Sequence, residues 1–158
     1  MLAGALRSGM NILVAVDGSE EADDAIAHAV AIADATGGSI TVVNAVDPAI
    51  QDTGGSDPIT TLSDADRRLV MESVEDAENR GMKVVEDAAA AAARHGHEAE
   101  TELVYGDPAT AIPEYATAAG FDAIFVGHRG RSERAGEMVG SVAKGIVERA
   151  DVPVTVVR

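Results

Sequence analysis

The stretch "NILVAVDGS", residues 11–19, decides the fold. Its first six residues are nearly all aliphatic and run straight into Asp-Gly-Ser. A short apolar run stopped by turn residues reads as a strand of a parallel sheet, buried on both faces. Ser19 stands where a helix N-cap belongs, and Glu20 and Glu21 suit the positive end of a helix dipole. Beyond them Ala22, Ala25, Ile26, Ala29, Val30 and Ala33 recur at helical spacing and predict one buried face, which Gly37-Gly38 terminates.

The same unit repeats along the chain. "SITVVNAV" (39–46) is a second strand, and residues 47–62 form a loop rich in Asp, Pro, Gly and Thr. A long helix follows from about Ser63 to His95. Its buried side is marked by Val70, Val74, Ala77, Val84, Ala88 and Ala91, with Gly81 as a point of local bending. "HEAETELVY" (97–105) alternates like a half-exposed strand. "GDP" (106–108) opens a third helix with Pro108 at its first position, and Pro113 is expected to kink that helix or delay its start. "DAIFV" (122–126) is a buried strand, a last helix spans Ser141 to about Arg149, and "VPVTVV" (152–157) closes the chain. Strand and helix alternate without a hairpin signal. The reading is a single α/β domain: an open five-stranded parallel sheet, order 3-2-1-4-5, with helices on both faces. Residues 1–9 are expected to be a disordered tail before residues 10–158, and Met10 is an alternative start.

Composition narrows the partners. The chain has 158 residues and 27 carboxylates against twelve Lys and Arg, a formal charge of −15. Nucleic acid, which needs a broad basic face, is excluded as a partner. No apolar run has the length of a membrane span, and the absence of cysteine makes the cytoplasm the default location. Acid excess, few lysines and abundant alanine resemble proteins of salt-loving microbes, where molar salt screens self-repulsion.

Against that charge, "GHRGRSERAGEMVGS" (127–141) places Arg129, Arg131 and Arg134 among glycines. The order 3-2-1-4-5 sets Gly127 beside Asp17, at the point where strand order reverses and ligands bind. Gly127, two residues, Gly130, nine residues and Gly140-Ser141 make a glycine pattern that lets backbone approach a ligand. Ser141 is expected to cap the last helix, whose free amides and dipole form an anion site. The arginines add positive potential for phosphate. Several charge-assisted hydrogen bonds, at about 1.5–3 kcal/mol each, leave a surplus near −8 kcal/mol, roughly micromolar affinity. From spacing alone, a flexible surface loop accounts for the pattern equally well. Asp17 is by itself a turn acid in "DGS". His128 either touches phosphate or, more simply, is a solvated loop histidine. His95 and His97 lack a third metal ligand. No Walker A loop, dinucleotide fingerprint, zinc-protease helix or nucleophile elbow occurs.

"ILVAVDGS", "GDP", "VGHRGRS" and "GSVAKGIVERADVPVTVV" together resemble the universal stress protein family, and in particular its ATP-binding branch, from about Met10 to Arg158. The family's Gly-x2-Gly-x9-Gly-Ser/Thr signature is met without a gap. The resemblance implies a Rossmann-like domain of the adenine nucleotide alpha hydrolase type. It implies that Asp17 lies near the adenosine, with Ala15 and Val16 as backbone wall and Ala45 reading the adenine edge. Val126 and Gly127 flank ribose and α-phosphate, and Gly130, Gly140, Ser141 and Val142 hold phosphates, with His128 and Arg129 beside them. Mg or Mn bridging the phosphate oxygens is implied as well. So is a homodimer through strand 152–157, an apolar edge that needs a partner. The insert "RSERAGEMV" departs from the pattern in Glu133, Gly136 and Glu137. Three functions follow: a nucleotide-dependent stress regulator, a slow ATPase or autophosphorylating enzyme with Ser141 or Ser132 as acceptor, or a dimerisation module for which nucleotide is incidental.

Overall fold

The computed structural model describes residues 9–47, 64–129 and 139–158, with side chains omitted for 64–73. The elements are β1 (Asn11–Ala15), α1 (Glu20–Thr36), β2 (Ser39–Val46), α2 (Asp64–Arg94), β3 (Ala99–Tyr105), α3 (Pro108–Ala118), β4 (Ala123–Gly127), α4 (Ser141–Arg149) and β5 (Val154–Val157). All strand pairs are parallel, in the order β3-β2-β1-β4-β5. This is the single-domain α/β sheet the sequence predicts. Ala15 stands level with Val43 on one side and Val126 on the other, so the tip of β1 lies between the carboxyl-end portions of β2 and β4.

Strand alternation divides the core in two. Ile12, Val14, Ile40, Val42 and Phe125 face α1 and α2, where Ala25, Ile26, Val30 and Val85 meet them. Leu13, Val43, Ile124 and Val126 face α3 and α4, against Ile112, Ala116, Phe121 and Ile146. Each fully buried aliphatic contributes about 1.5–3 kcal/mol. The central strands therefore hold the sheet, while edge strands β3 and β5 contain no fully buried residue.

Helix α1 follows its sequence closely. Ser19 Oγ accepts from Ala22 N–H at 3.1 Å, the six predicted residues are its buried ones, and Gly37 ends it at φ 71°. In α2 the buried side carries Ala77, Ala88 and Ala91 as expected, but Val84 is half-buried and Val85 is the residue wholly enclosed. Val70 lies outside the described side chains.

Two local expectations are corrected, and a third residue gains a packing reason. Helix α3 begins at Pro108 and runs unbroken through the buried Pro113, so its start is not delayed. Only the bond Pro113 would donate to Ala109 is forfeited. Helix α2 is likewise unbroken at Gly81. A Cβ there would lie 3.0 Å from Asn44 Oδ1 and 3.1 Å from Leu103 Cδ2, so glycine serves close packing on β2 and β3. The N-cap of α4 is Gly140, not Ser141. Gly140 N–H donates to the His128 carbonyl at 2.6 Å and Lys144 N–H to the Gly140 carbonyl at 3.0 Å, so the helix winds one residue earlier. The expected tail (residues 1–8) and the 47–62 loop beyond Asp47 lie outside the described residues.

Candidate functional site

At the carboxyl ends of β1, β2 and β4 the structure has a cleft of about 160 Å³. That is several times the ~30 Å³ share of one water, so it is an open cleft rather than a packing gap. Ala15, Val16 and Asp17 form its floor, Asn44 and Ala45 one side, and Val126, Gly127 and Arg129 the other. Three helices point their N-terminal ends at it: α1 through Ser19 and Ala22, α3 through Pro108 and Ile112, and α4 through Gly140, Val142 and Ala143. This follows from the fold. In a parallel sheet with crossover helices, every helix runs back against the strands and starts near their carboxyl ends. First-turn amides, which have no acceptor within their own helix, and the positive ends of the dipoles collect there, and both favour an anion.

The floor is built by local hydrogen bonds. Asp17 Oδ1 accepts from Ser19 N–H at 3.0 Å while Gly18 turns at φ 83°. The turn reading of Asp17 therefore holds, and the same residue also lines the cleft. Asn44 Nδ2 donates to the Val16 carbonyl at 2.8 Å, and Val16 N–H donates to the Val43 carbonyl at 2.9 Å. Val16, just past β1, is thus held to β2 from both its polar groups.

Of the predicted site residues, Ala15, Val16, Asp17, Ala45, Val126, Gly127, Arg129, Gly140 and Val142 are brought together on the cleft wall. Ser141 occupies the first turn of α4 but is not among the lining residues. Gly130, Arg131 and Arg134 lie outside the described residues. His128 is not the solvated side chain that its loop position suggests: it is 8% exposed. Its N–H donates to the Val157 carbonyl at 2.8 Å and its carbonyl accepts from Gly140, which draws the residue under β5 and α4. Gly127 has a packing reason as well. A Cβ there would stand 2.8 Å from backbone atoms of Glu21, so this glycine admits the first turn of α1 against β4.

Sequence reasoning missed Ser19, Ala22, Asn44, Pro108, Ile112 and Ala143 as wall residues. Only Asn44 carried a signal, as the one amide in an otherwise apolar strand "SITVVNAV". The others are ordinary capping and core positions that become wall through helix placement.

Elsewhere, His97 Nδ1 lies 2.8 Å from the Glu98 carbonyl and its Nε2 lies 3.8 Å from Asp34 Oδ1. Among the described residues no group of three or more His, Cys, Asp or Glu could hold a metal ion, and no helix is long and apolar enough to cross a membrane.

Comparison with known proteins agrees with this architecture. A universal stress protein YxiE from Bacillus subtilis is 30% identical over 147 residues, covering 93% of this chain and 97% of that protein. Universal stress protein UspA from Lactobacillus plantarum superposes with a TM-score of 0.76 at 26% identity, covering 96% of this chain and 99% of that one. A universal stress protein from Archaeoglobus fulgidus, solved in complex with dAMP, gives 0.59 at 23% identity, covering 96% and 100%. The sequence profile of the universal stress protein family matches residues 10–158, all but the first nine, and the chain belongs to that family.

Proposed function

We propose that the cleft binds an adenine nucleotide, ATP in the cell, and that the protein is a nucleotide-dependent stress regulator. The observation that carries this reading is the convergence of three helix N-termini and Arg129 on one cleft, in a chain whose net charge is −15. In a protein of this net charge, helix N-termini and a guanidinium gathered on one cleft favour an anionic ligand there. The apolar parts of the wall, Ala15, Val126, Ile112 and Val142, suit a base and ribose edge. Relatives of the same fold were solved with cAMP and with dAMP, which supports an adenine nucleotide as the ligand class. Mg or Mn would be a companion of the phosphates, with Asp17 as a carboxylate on the wall, and no dedicated protein cage would be required.

The dimer belongs to the same proposal. Among the described residues strand β5 pairs only with β4, and all four of its residues are half-buried. A second copy pairing along 152–157 covers that edge. The acid excess fits a cytoplasm rich in salt.

Calorimetric titration with Mg-ATP in molar KCl tests the reading. Saturable binding at micromolar ligand is expected, and no binding at millimolar ligand overturns it. Sedimentation in the same buffer tests the dimer, with a monomer as the contrary result.

A further inference from the structure

Arg129 does not reach the cleft as a free side chain. Its Nε–H donates to His128 Nε2 at 3.0 Å. A guanidinium has donors only, so His128 Nε2 must be the unprotonated nitrogen and Nδ1 carries the hydrogen. That Nδ1 is buried and has no partner among the described residues. Buried polar atoms are rarely left so, and this one calls for a reason. Backbone contacts fix the main chain beneath the buried ring: residue 128 is tied to Val157 through its N–H and to Gly140 through its carbonyl. Among the described residues the Arg129 guanidinium has no carboxylate partner and no second hydrogen bond.

We infer that His128 is a positioning residue, which pins Arg129 by its Nε so that the two terminal amino groups face the cleft and grip a phosphate. The inference rests on the nucleotide reading above. An arginine has many rotamers, and holding Nε in advance removes most of that freedom before ligand arrives. The fork left over, two N–H groups side by side, matches two oxygens of one phosphate. The ligand class addressed is therefore the phosphate chain, and a nucleoside lacking phosphate gains nothing from the pin.

The test compares ATP with adenosine, and two substitutions with each other. His128→Leu keeps bulk and removes the acceptor, whereas His128→Gln places Oε1 near the lost Nε2. His128→Leu is expected to weaken ATP about tenfold, the equivalent of one loosened charge-assisted hydrogen bond, and leave adenosine unchanged. His128→Gln is expected to recover most of the loss, and His128→Leu to add nothing in an Arg129→Ala background. Equal losses with Leu and Gln, equal losses for ATP and adenosine, or full additivity with Arg129→Ala each overturn the pin. Nitrogen-15 spectra of the ligand-free protein supply an independent readout. A ring protonated at Nδ1 and a slowly exchanging Arg129 Nε–H are expected, and protonation at Nε2 overturns the pin whatever the protein binds. If those spectra come out as expected but the wild type binds neither ATP nor adenosine, the nucleotide reading has failed and the pin's purpose with it.

Discussion

Two hollows lie at opposite ends of the sheet. The one at the amino end is lined by Asn11, Ser39, Thr41, Glu98, Glu100, Tyr115 and Ala119, and its volume is about 680 Å³ against about 160 Å³ for the cleft. The larger is not the better site. Helix α3 ends there at Ala119, so it contributes carbonyl oxygens and the negative end of a dipole, and two glutamates add to that. The cleft receives helix N-termini and an arginine instead. The amino end is also closed by its own hydrogen bonds: Asn11 N–H to Asp122 Oδ2 at 2.8 Å, Ser39 Oγ to Asn11 Oδ1 at 2.6 Å, and Asp122 N–H to the Asn11 carbonyl at 2.8 Å. Both ends make local hydrogen bonds, but the cleft alone receives helix N-termini and an arginine. The direction of the helices, not the amount of space, makes the difference.

The largest effect that separates the two ends comes from Gly140→Glu. It puts a carboxylate at the N-terminus of α4, on the cleft wall. Losing two charge-assisted hydrogen bonds costs about 3 kcal/mol or more, so ATP affinity should fall at least about 100-fold in a calorimetric titration. Stability should hold, since an acid suits a helix N-terminus. Unchanged affinity would break the comparison outright. Gly127→Ala comes next. Its Cβ would meet the Glu21 backbone at 2.8 Å, and α1 must shift at a cost of about 1–3 kcal/mol in a urea melt. A stable variant that loses ATP would mean that this glycine serves the ligand directly. Asp122→Ala strikes the amino end alone. Asn11 N–H loses its acceptor, stability drops by about 1 kcal/mol, and ATP affinity stays unchanged.

These residues also show how far the sequence could be read. Strand order and the face of α1 follow from periodicity and capping, which are local and strong, as Ser19 and the Ala22-to-Ala33 spacing show. The cleft floor follows from the position of Asp17 and from family likeness. What stayed hidden depends on contacts between distant segments. His128 is buried because β5 and α4 close over a residue that looks like loop. Gly127 reads as a ligand glycine, but its neighbour is a helix about a hundred residues earlier. Asn44 is one amide in a strand, and only the register of β1 on β2 gives it the Val16 carbonyl.

The smallest effect concerns Tyr115, whose hydroxyl donates to Glu102 Oε2 at 3.4 Å beside the amino-end hollow. Burial raises its pKa above the ordinary 10.0, and the carboxylates of Glu102 and Glu100 raise it further. In the unfolded chain the phenol ionises at its ordinary value. Its contribution to stability is therefore complete below that pH and declines as pH rises through the higher folded value. Tyr115→Phe should flatten that alkaline decline in urea melts taken at successive pH. A remainder should persist from Tyr105, which is 59% exposed but shifted the same way by desolvation and then by Glu78. Salt sharpens the point. At 1 M the screening length is about 3 Å, so the carboxylate part of the Tyr115 shift should shrink while the burial part remains. Of the two carboxylates, Glu100 also lines the amino-end hollow, where it would meet an entering phosphate. A Tyr115 pKa that does not respond to salt would mean that Glu100 is too weakly felt to add to the effect of helix direction at this end.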